Sequence, residues 1–370
     1  MAPNWYATVM GTGIVANAAL LLPHRSETLH DAAFSVWCLA ATLLAGLVVA
    51  TALRWREFLA HARNPAMVPF YGAPPMALMT VGAGSLLLGL PVGIDVVLWT
   101  AGTLTGLAAA VAVPYLMFTR HEFAPDSAWG AWLMPVVAPM VSAATGAALI
   151  DRLPPGEARL DLLLACGAMF GLSLLAAFVV IAVLWNKLLH HGVGPAALVP
   201  TLWIVLGPLG QSITAANLLA DVAGLPSFAG VLYGMPVLGF ALLWMAIAAA
   251  ITIRTPGLRF SLTWWSFTFP VGTVVTGTSE LARHSGSIAL GWLAVALYVF
   301  LVGAWLTAAT NTARMVADER HATLRVRARG VHGGDGGREH PRRRRRARPD
   351  RVRGDQAHPQ PREAARGHAL

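Results

Sequence analysis

Hydrophobic and polar positions divide the chain into long apolar runs, with nearly all charged residues up to about residue 313 confined to the short segments between them. The runs cover 5–22, 33–53, 66–90, 93–117, 129–150, 160–185, 196–221, 228–253, 261–282 and 288–312. A hydrocarbon core of roughly 30 Å takes about 20 helical residues to cross. The pattern therefore predicts an all-α integral membrane protein with ten transmembrane helices. The first run has no basic segment before it and no small-residue cleavage site leading into a soluble domain, so it is expected to stay as a helix.

Helix breakers fall unevenly among the runs. The third holds Pro69, Pro74 and Pro75, the fifth Pro135 and Pro139, the seventh Pro200 and Pro208, and the ninth Pro270, while the first has Gly11 and Gly13. Even runs are mostly smooth, with Pro114 near the end of the fourth and Pro236 in the eighth. Proline or glycine in a membrane helix frees carbonyls that lipid cannot satisfy but neighbouring helices or a water-filled cavity can. Odd runs are thus expected inside and even runs outside. Amides and hydroxyls follow the same sorting, among them Asn17, Thr80, Thr145, Gln211, Thr214 and Thr276. Five pairs of one broken and one smooth helix make a quasi-repeat of roughly 60 residues that closes into a ring around a central pathway. For any single residue, ordinary helix packing is the competing explanation, since small and hydroxyl side chains also let membrane helices approach.

Charge changes the picture at one end. The chain holds 27 Lys+Arg and 18 Asp+Glu, but residues 1–313 balance at 11 and 11, leaving 16 Arg against 7 acidic residues in 314–370. The organisation read from this is a transmembrane domain, 1–313, and a basic tail, 314–370, with too little apolar content to fold. Its arginines, including the run 342–346, suit anionic lipid headgroups. Without interleaved aromatic residues, on a membrane-tethered chain, they do not suggest nucleic acid. Loops on the side of the termini carry Arg54, Arg56, Arg63, Arg120, Lys187, Arg254 and Arg259, against Arg25, Arg152, Arg159 and Arg283 on the other. The positive-inside rule then predicts a multi-pass protein of the cell (inner) membrane with both termini cytoplasmic. Cys38 and Cys166 lie far apart inside runs and read as packing residues.

The odd runs have no charged residue at mid-depth; Glu280 and Asp221 lie near ends, and no histidine falls inside a run. Proton relays of coupled carriers usually need such groups. A lining of hydroxyls, amides and helix N-termini offers only partial positive charge, which holds anions weakly and at several places, as rapid permeation requires. Neither HExxH, GxSxG nor a P-loop is present, so no hydrolytic or ATP-driven chemistry is encoded, and no cofactor or metal site is expected. Arg120, His121 and Glu122 read as a solvated loop. Trp264, Trp265, Phe267 and Phe269, just before Pro270, read on composition as an interfacial aromatic belt.

Four motifs in order carry a resemblance: Asn4 to Ile14 (NWYATVMGTGI), Tyr71 to Pro75 (YGAPP), Leu206 to Ser212 (LGPLGQS) and Trp264 to Pro270 (WWSFTFP). Over about residues 3–312 the chain resembles the tellurite-resistance/dicarboxylate transporter family, which includes TehA-like proteins, fungal malate permeases and sulfite pumps, and plant slow anion channels. The resemblance implies five helical hairpins around a central pore, often in a homotrimer with one pore per subunit. It also implies a phenylalanine before a proline or glycine in the ninth helix as the pore gate, which here is Phe269. Phe267, about 200° round the helix, is then packing. The MGTGI sequence is closer to the sulfite and malate branch than to the TehA-like one. The expected function is transport of a small anion: a dicarboxylate, sulfite or a tellurite-type oxyanion. Phe269 is the expected gate; Gly11, Gly13, Pro74, Pro75, Pro139, Pro208, Gln211 and Pro270 are expected to line or shape the path. The competing expectation is a non-conducting sensor or platform whose basic tail recruits a partner.

Overall fold

The computed structural model describes residues 1–23 and 26–332; Arg25, one of the loop charges counted above, and the arginine run 342–346 lie outside the described residues. Residues 1–318 form one compact unit, and the described part of the second, 319–370, is helical. The elements are α1 (Tyr6–Leu21), α2 (Glu27–Leu53), a short α3 (Trp55–Ala60), α4 (Ala73–Leu87), α5 (Val92–Thr119), α6 (Leu133–Ile150), α7 (Glu157–His191), α8 (Leu206–Val222), α9 (Phe228–Arg254), α10 (Phe269–Ser285) and α11 (Ile288–His332). No strand occurs among the described residues. Helix α11 runs beyond Arg314, where the sequence places the start of the tail.

Among the described residues, seven stretches are long and apolar enough to cross a membrane: α2, α5, α7, α9, α11 as far as Asp318, and α6 and α8 with the 3-10 segments before them. Helices α1, α4 and α10 are shorter, at 16, 15 and 17 residues. Each is extended backwards by a 3-10 segment: Pro3–Trp5, Val68–Gly72 and Leu262–Phe267. At about 1.5 Å per α-helical and about 2 Å per 3-10 residue, the combined rods reach about 30 Å or more.

This construction corrects the reading of prolines as mid-span breaks. Pro69 and Pro200 lie in 3-10 segments, Pro74, Pro75 and Pro270 in the first turn of α4 or α10, and Pro135 and Pro208 at the third residue of α6 and α8. The first turn has no intrahelical partner for its N–H groups, so proline there removes nothing and presets φ. Of the prolines in α1, α4, α6, α8 and α10, Pro139 of α6 lies in a helix interior.

Burial alternates as the sequence pattern predicts. Of the most apolar window, 89% is buried in Gly130–Ile150 and 83% in Ala196–Val222, against 28% in α5, α7 and α9 and 11% in α2. Of α1 and α10, 14 of 16 and 14 of 17 residues are buried as well, and of α4 10 of 15. These buried helices touch in cyclic order: α1 with α4, α4 with α6, α6 with α8, α8 with α10, and α10 with α1. Glycine sits at the seams. A Cβ on Gly13 would lie 2.8 Å from Thr80, one on Gly272 2.4 Å or more from Ile14 across the α10–α1 seam, and one on Gly277 2.8 Å from the Gly210 carbonyl. Gly72 meets the Met134 backbone and Gly130 the Thr201 backbone. Absent side chains let backbones close up where no hydrophobic effect drives helices together.

Outer helices are pinned to inner ones by side-chain donors. Trp37 of α2 donates to the Val81 carbonyl at 2.9 Å, Trp99 of α5 to Ser142 O at 3.0 Å, Trp244 of α9 to Leu202 O at 2.8 Å and Trp305 of α11 to Thr12 Oγ1 at 3.1 Å. In α7 the donor is Ser173, to Val136 O. Each is worth about 1 kcal/mol net, and more is lost if one partner is left buried and unpaired.

Candidate functional site

Two cavities lie within the ring of buried helices, and Phe269 lines both. The first, of about 30 Å³, is bordered by the opening turns of all five helices through Ala7, Met76, Met134, Gly207 and Phe269. Its remaining walls are mostly apolar, including Met10, Phe70, Ile204 and Trp265. The second, of about 140 Å³, extends to the last two turns of the same helices at Leu21, Leu87, Ala148, Leu218 and Glu280. The five buried helices therefore run parallel, and their peptide dipoles direct partial positive charge to the first cavity.

The second cavity is mostly apolar in surface, like the first, but more polar residues stand in its wall. Asn17, Thr80, Thr145, Gln211, Thr214 and Thr276 line it. Thr214 and Thr276 share a hydrogen bond of 2.9 Å, and Asn17 donates to Thr80 O at 3.0 Å. The Gln211 amide has no hydrogen-bond partner among the described residues, so its two N–H donors are available to the cavity. Hydroxyls of the buried helices, those in the cavity wall included, donate to the helices themselves: Thr80 to Met76 O at 2.7 Å, Thr145 to Val141 O at 2.8 Å, Thr276 to Thr273 O at 3.0 Å, Ser212 to Leu209 O at 2.8 Å and Thr273 to Pro270 O at 2.6 Å.

Phe269 opens α10 and is 5% exposed. Before it, Thr268 ends the 3-10 segment at φ −102°, ψ −76°, and its hydroxyl donates to Trp265 O at 2.7 Å. Phe267 stacks edge-on against Trp203 and Trp264, at 5.3 Å and 5.6 Å, and is absent from both cavity walls. Pro270 lines the first cavity and Gln211 the second. The other expected residues take different places. Gly11 abuts Thr268 and Trp265, Gly13 abuts Thr80, and Pro75 packs on Gly102 and Gly106 of α5. Pro74 starts α4, Pro208 sits in the opening of α8, and Pro139 is buried within α6; none borders either cavity.

A cluster that the sequence only noted as lying near run ends stands at the far side. Beyond the second cavity a wider opening shares Leu86, Leu87, Ala148 and Leu218 with it and adds Asp151, Arg152, Asp221 and Arg283. There Arg283 donates through Nε (2.9 Å) and Nη2 (2.7 Å) to Glu280 Oε2, and through Nη2 to Asp221 Oδ2 at 2.8 Å. His284 completes the group, 2.8 Å from Asp221 Oδ1. The signal was the spacing of Glu280, Arg283 and His284, which places them on one helical face, but Asp221 joins only through the α8–α10 contact. Asp95 was also missed: it is fully buried in the first turn of α5, and neither carboxylate oxygen is hydrogen-bonded.

A ring of parallel buried helices, sheathed by apolar helices and enclosing internal cavities, defines a multi-pass membrane protein of the transporter and channel kind. Residues 1–313 match the family described as SLAC1, voltage-dependent anion channel, and the chain belongs to that family. It is 27% identical to a sulfite efflux pump of Arthroderma otae, over 82% of this chain and 88% of that protein. An uncharacterized transporter of Methanocaldococcus jannaschii is 28% identical, over 85% and 93%. A putative malic acid transport protein of Schizosaccharomyces pombe is 21% identical, over 84% and 79%.

Proposed function

We propose that this chain carries small anions through the centre of the helix ring, with Phe269 as the gate. The observation that carries the reading is that one aromatic side chain borders both cavities, so it stands between a tight apolar vestibule and a roomier space with amide side chains in its wall. An apolar ring at a constriction opposes an ion by withholding water as well as by blocking its way. On either side the surroundings suit an anion: aligned helix dipoles at the vestibule, then the Gln211 amide donors. In this reading all ten long helices cross the membrane as five hairpins, because α1, α4 and α10 share the ring with α6 and α8. Both termini lie in the cytoplasm of a cell-membrane protein, the apolar outer faces meet lipid, and a homotrimer carries one path per subunit.

Sulfite or a dicarboxylate is the favoured cargo, given relatives named as sulfite efflux and malic acid transport proteins. The test is flux in proteoliposomes for chloride, sulfite and malate, in wild type and Phe269→Ala. Anion flux that rises in the variant supports the gate; silence of both folded proteins to all three anions removes the transport reading.

A further inference from the structure

The geometry points to a second anion station, at the mouth where α8 and α10 end, built on Arg283 and governed by a proton shared between His284 and Asp221. This station rests on the pathway proposed above. His284 Nδ1 lies 2.8 Å from the backbone carbonyl of Glu280, which can only accept, so Nδ1 carries a proton. His284 Nε2 lies 2.8 Å from Asp221 Oδ1 and 3.2 Å from Arg283 Nη2, whose two hydrogens are already directed at Glu280 Oε2 and Asp221 Oδ2. A neutral ring protonated on Nδ1 and an ionised carboxylate would set two acceptors against each other there. That contact therefore holds a second proton, on the imidazole or on the carboxyl.

With this proton in place the His284–Asp221 pair is neutral, and the Arg283 guanidinium balances Glu280. Without it the group carries a net negative charge at the end of the second cavity, which Glu280 lines. His284 and Glu280 are shielded, at 3% and 5% exposure, whereas Arg283 is 54% exposed toward the opening. Arg283 Nη1 has no partner among the described residues and is the donor left to receive a carboxylate or inorganic oxyanion.

The charged groups across the opening are Arg152 and Asp151, the latter 3.3 Å from Arg159. Helix α1 has no charged side chain. Helix α9 has Tyr233, against Phe170, near its start and Arg254 at its opposite end. His24 and Arg25 lie outside the described residues.

Acid should thus favour anion passage and alkali should oppose it. The test measures chloride flux, whose ion does not titrate, in the Phe269→Ala background between about pH 5.5 and about pH 8, so that the station and not the gate limits the rate. Flux is expected to rise about tenfold toward acid. His284→Gln should flatten the profile, and Glu280→Gln should raise the alkaline flux toward the acid value. A flat profile in the Phe269→Ala protein itself overturns the station, whether or not the further variants fold. So does a His284→Gln protein that keeps the full pH dependence. Absence of any flux from Phe269→Ala would instead strike at the pathway.

Discussion

Gly11 of α1 lies directly against Thr268, so closely that a Cβ at Gly11 would overlap the threonine hydroxyl and come within 2.6 Å of Trp265. Thr268 precedes Phe269, and its hydroxyl is bonded to Trp265 O at 2.7 Å. The α1–α10 seam and the placement of the ring that borders both cavities are therefore one structural unit.

Gly11→Ala forces that unit apart. Overpacking of this kind costs about 1–3 kcal/mol, and the expected result is a lower melting temperature in detergent together with altered anion flux. Gly46→Ala is the control, because a Cβ at Gly46 meets nothing within 4 Å. Equal melting of the two variants would contradict the seam.

Gln211→Leu removes amide donors from the second cavity without opening a void. Flux of small anions is expected to fall about fivefold or more, equivalent to about 1 kcal/mol at the barrier, with thermal stability unchanged or raised. Unaltered flux in a folded Gln211→Leu protein would show that the amide does not face the permeating ion.

Trp244→Phe tests how outer helices hold inner ones. Trp244 is 1% exposed and donates to Leu202 O, in the 3-10 segment ahead of α8. Phenylalanine removes that donor and fills less of the buried space, so a loss of about 1–3 kcal/mol is expected by denaturant or thermal unfolding in micelles.

Much of the fold was legible because the constraint is simple. Lipid accepts apolar helices, so run length and smoothness marked α2, α5, α7, α9 and α11, while prolines and amides marked the buried five. The role of the prolines was not legible in the same way. Whether Pro74 or Pro270 breaks a helix or begins one depends on where the preceding 3-10 turn ends, and composition does not contain that. Gly11 and Gly13 read as lining, yet Gly11 meets Thr268 and Trp265, far along the chain, and Gly13 meets Thr80 of α4. The Asp221–Arg283–Glu280–His284 group was hidden for the same reason: each member sits near a run end, where charge is ordinary, and only the α8–α10 contact joins them.

The most direct test of the account is the chloride conductance of purified wild-type and Phe269→Ala protein in planar bilayers under set voltage. The account predicts an increase of about tenfold or more in Phe269→Ala, corresponding to about 1.4 kcal/mol or more removed from the barrier, with anions preferred over cations. A folded Phe269→Ala protein whose conductance matches wild type would contradict it.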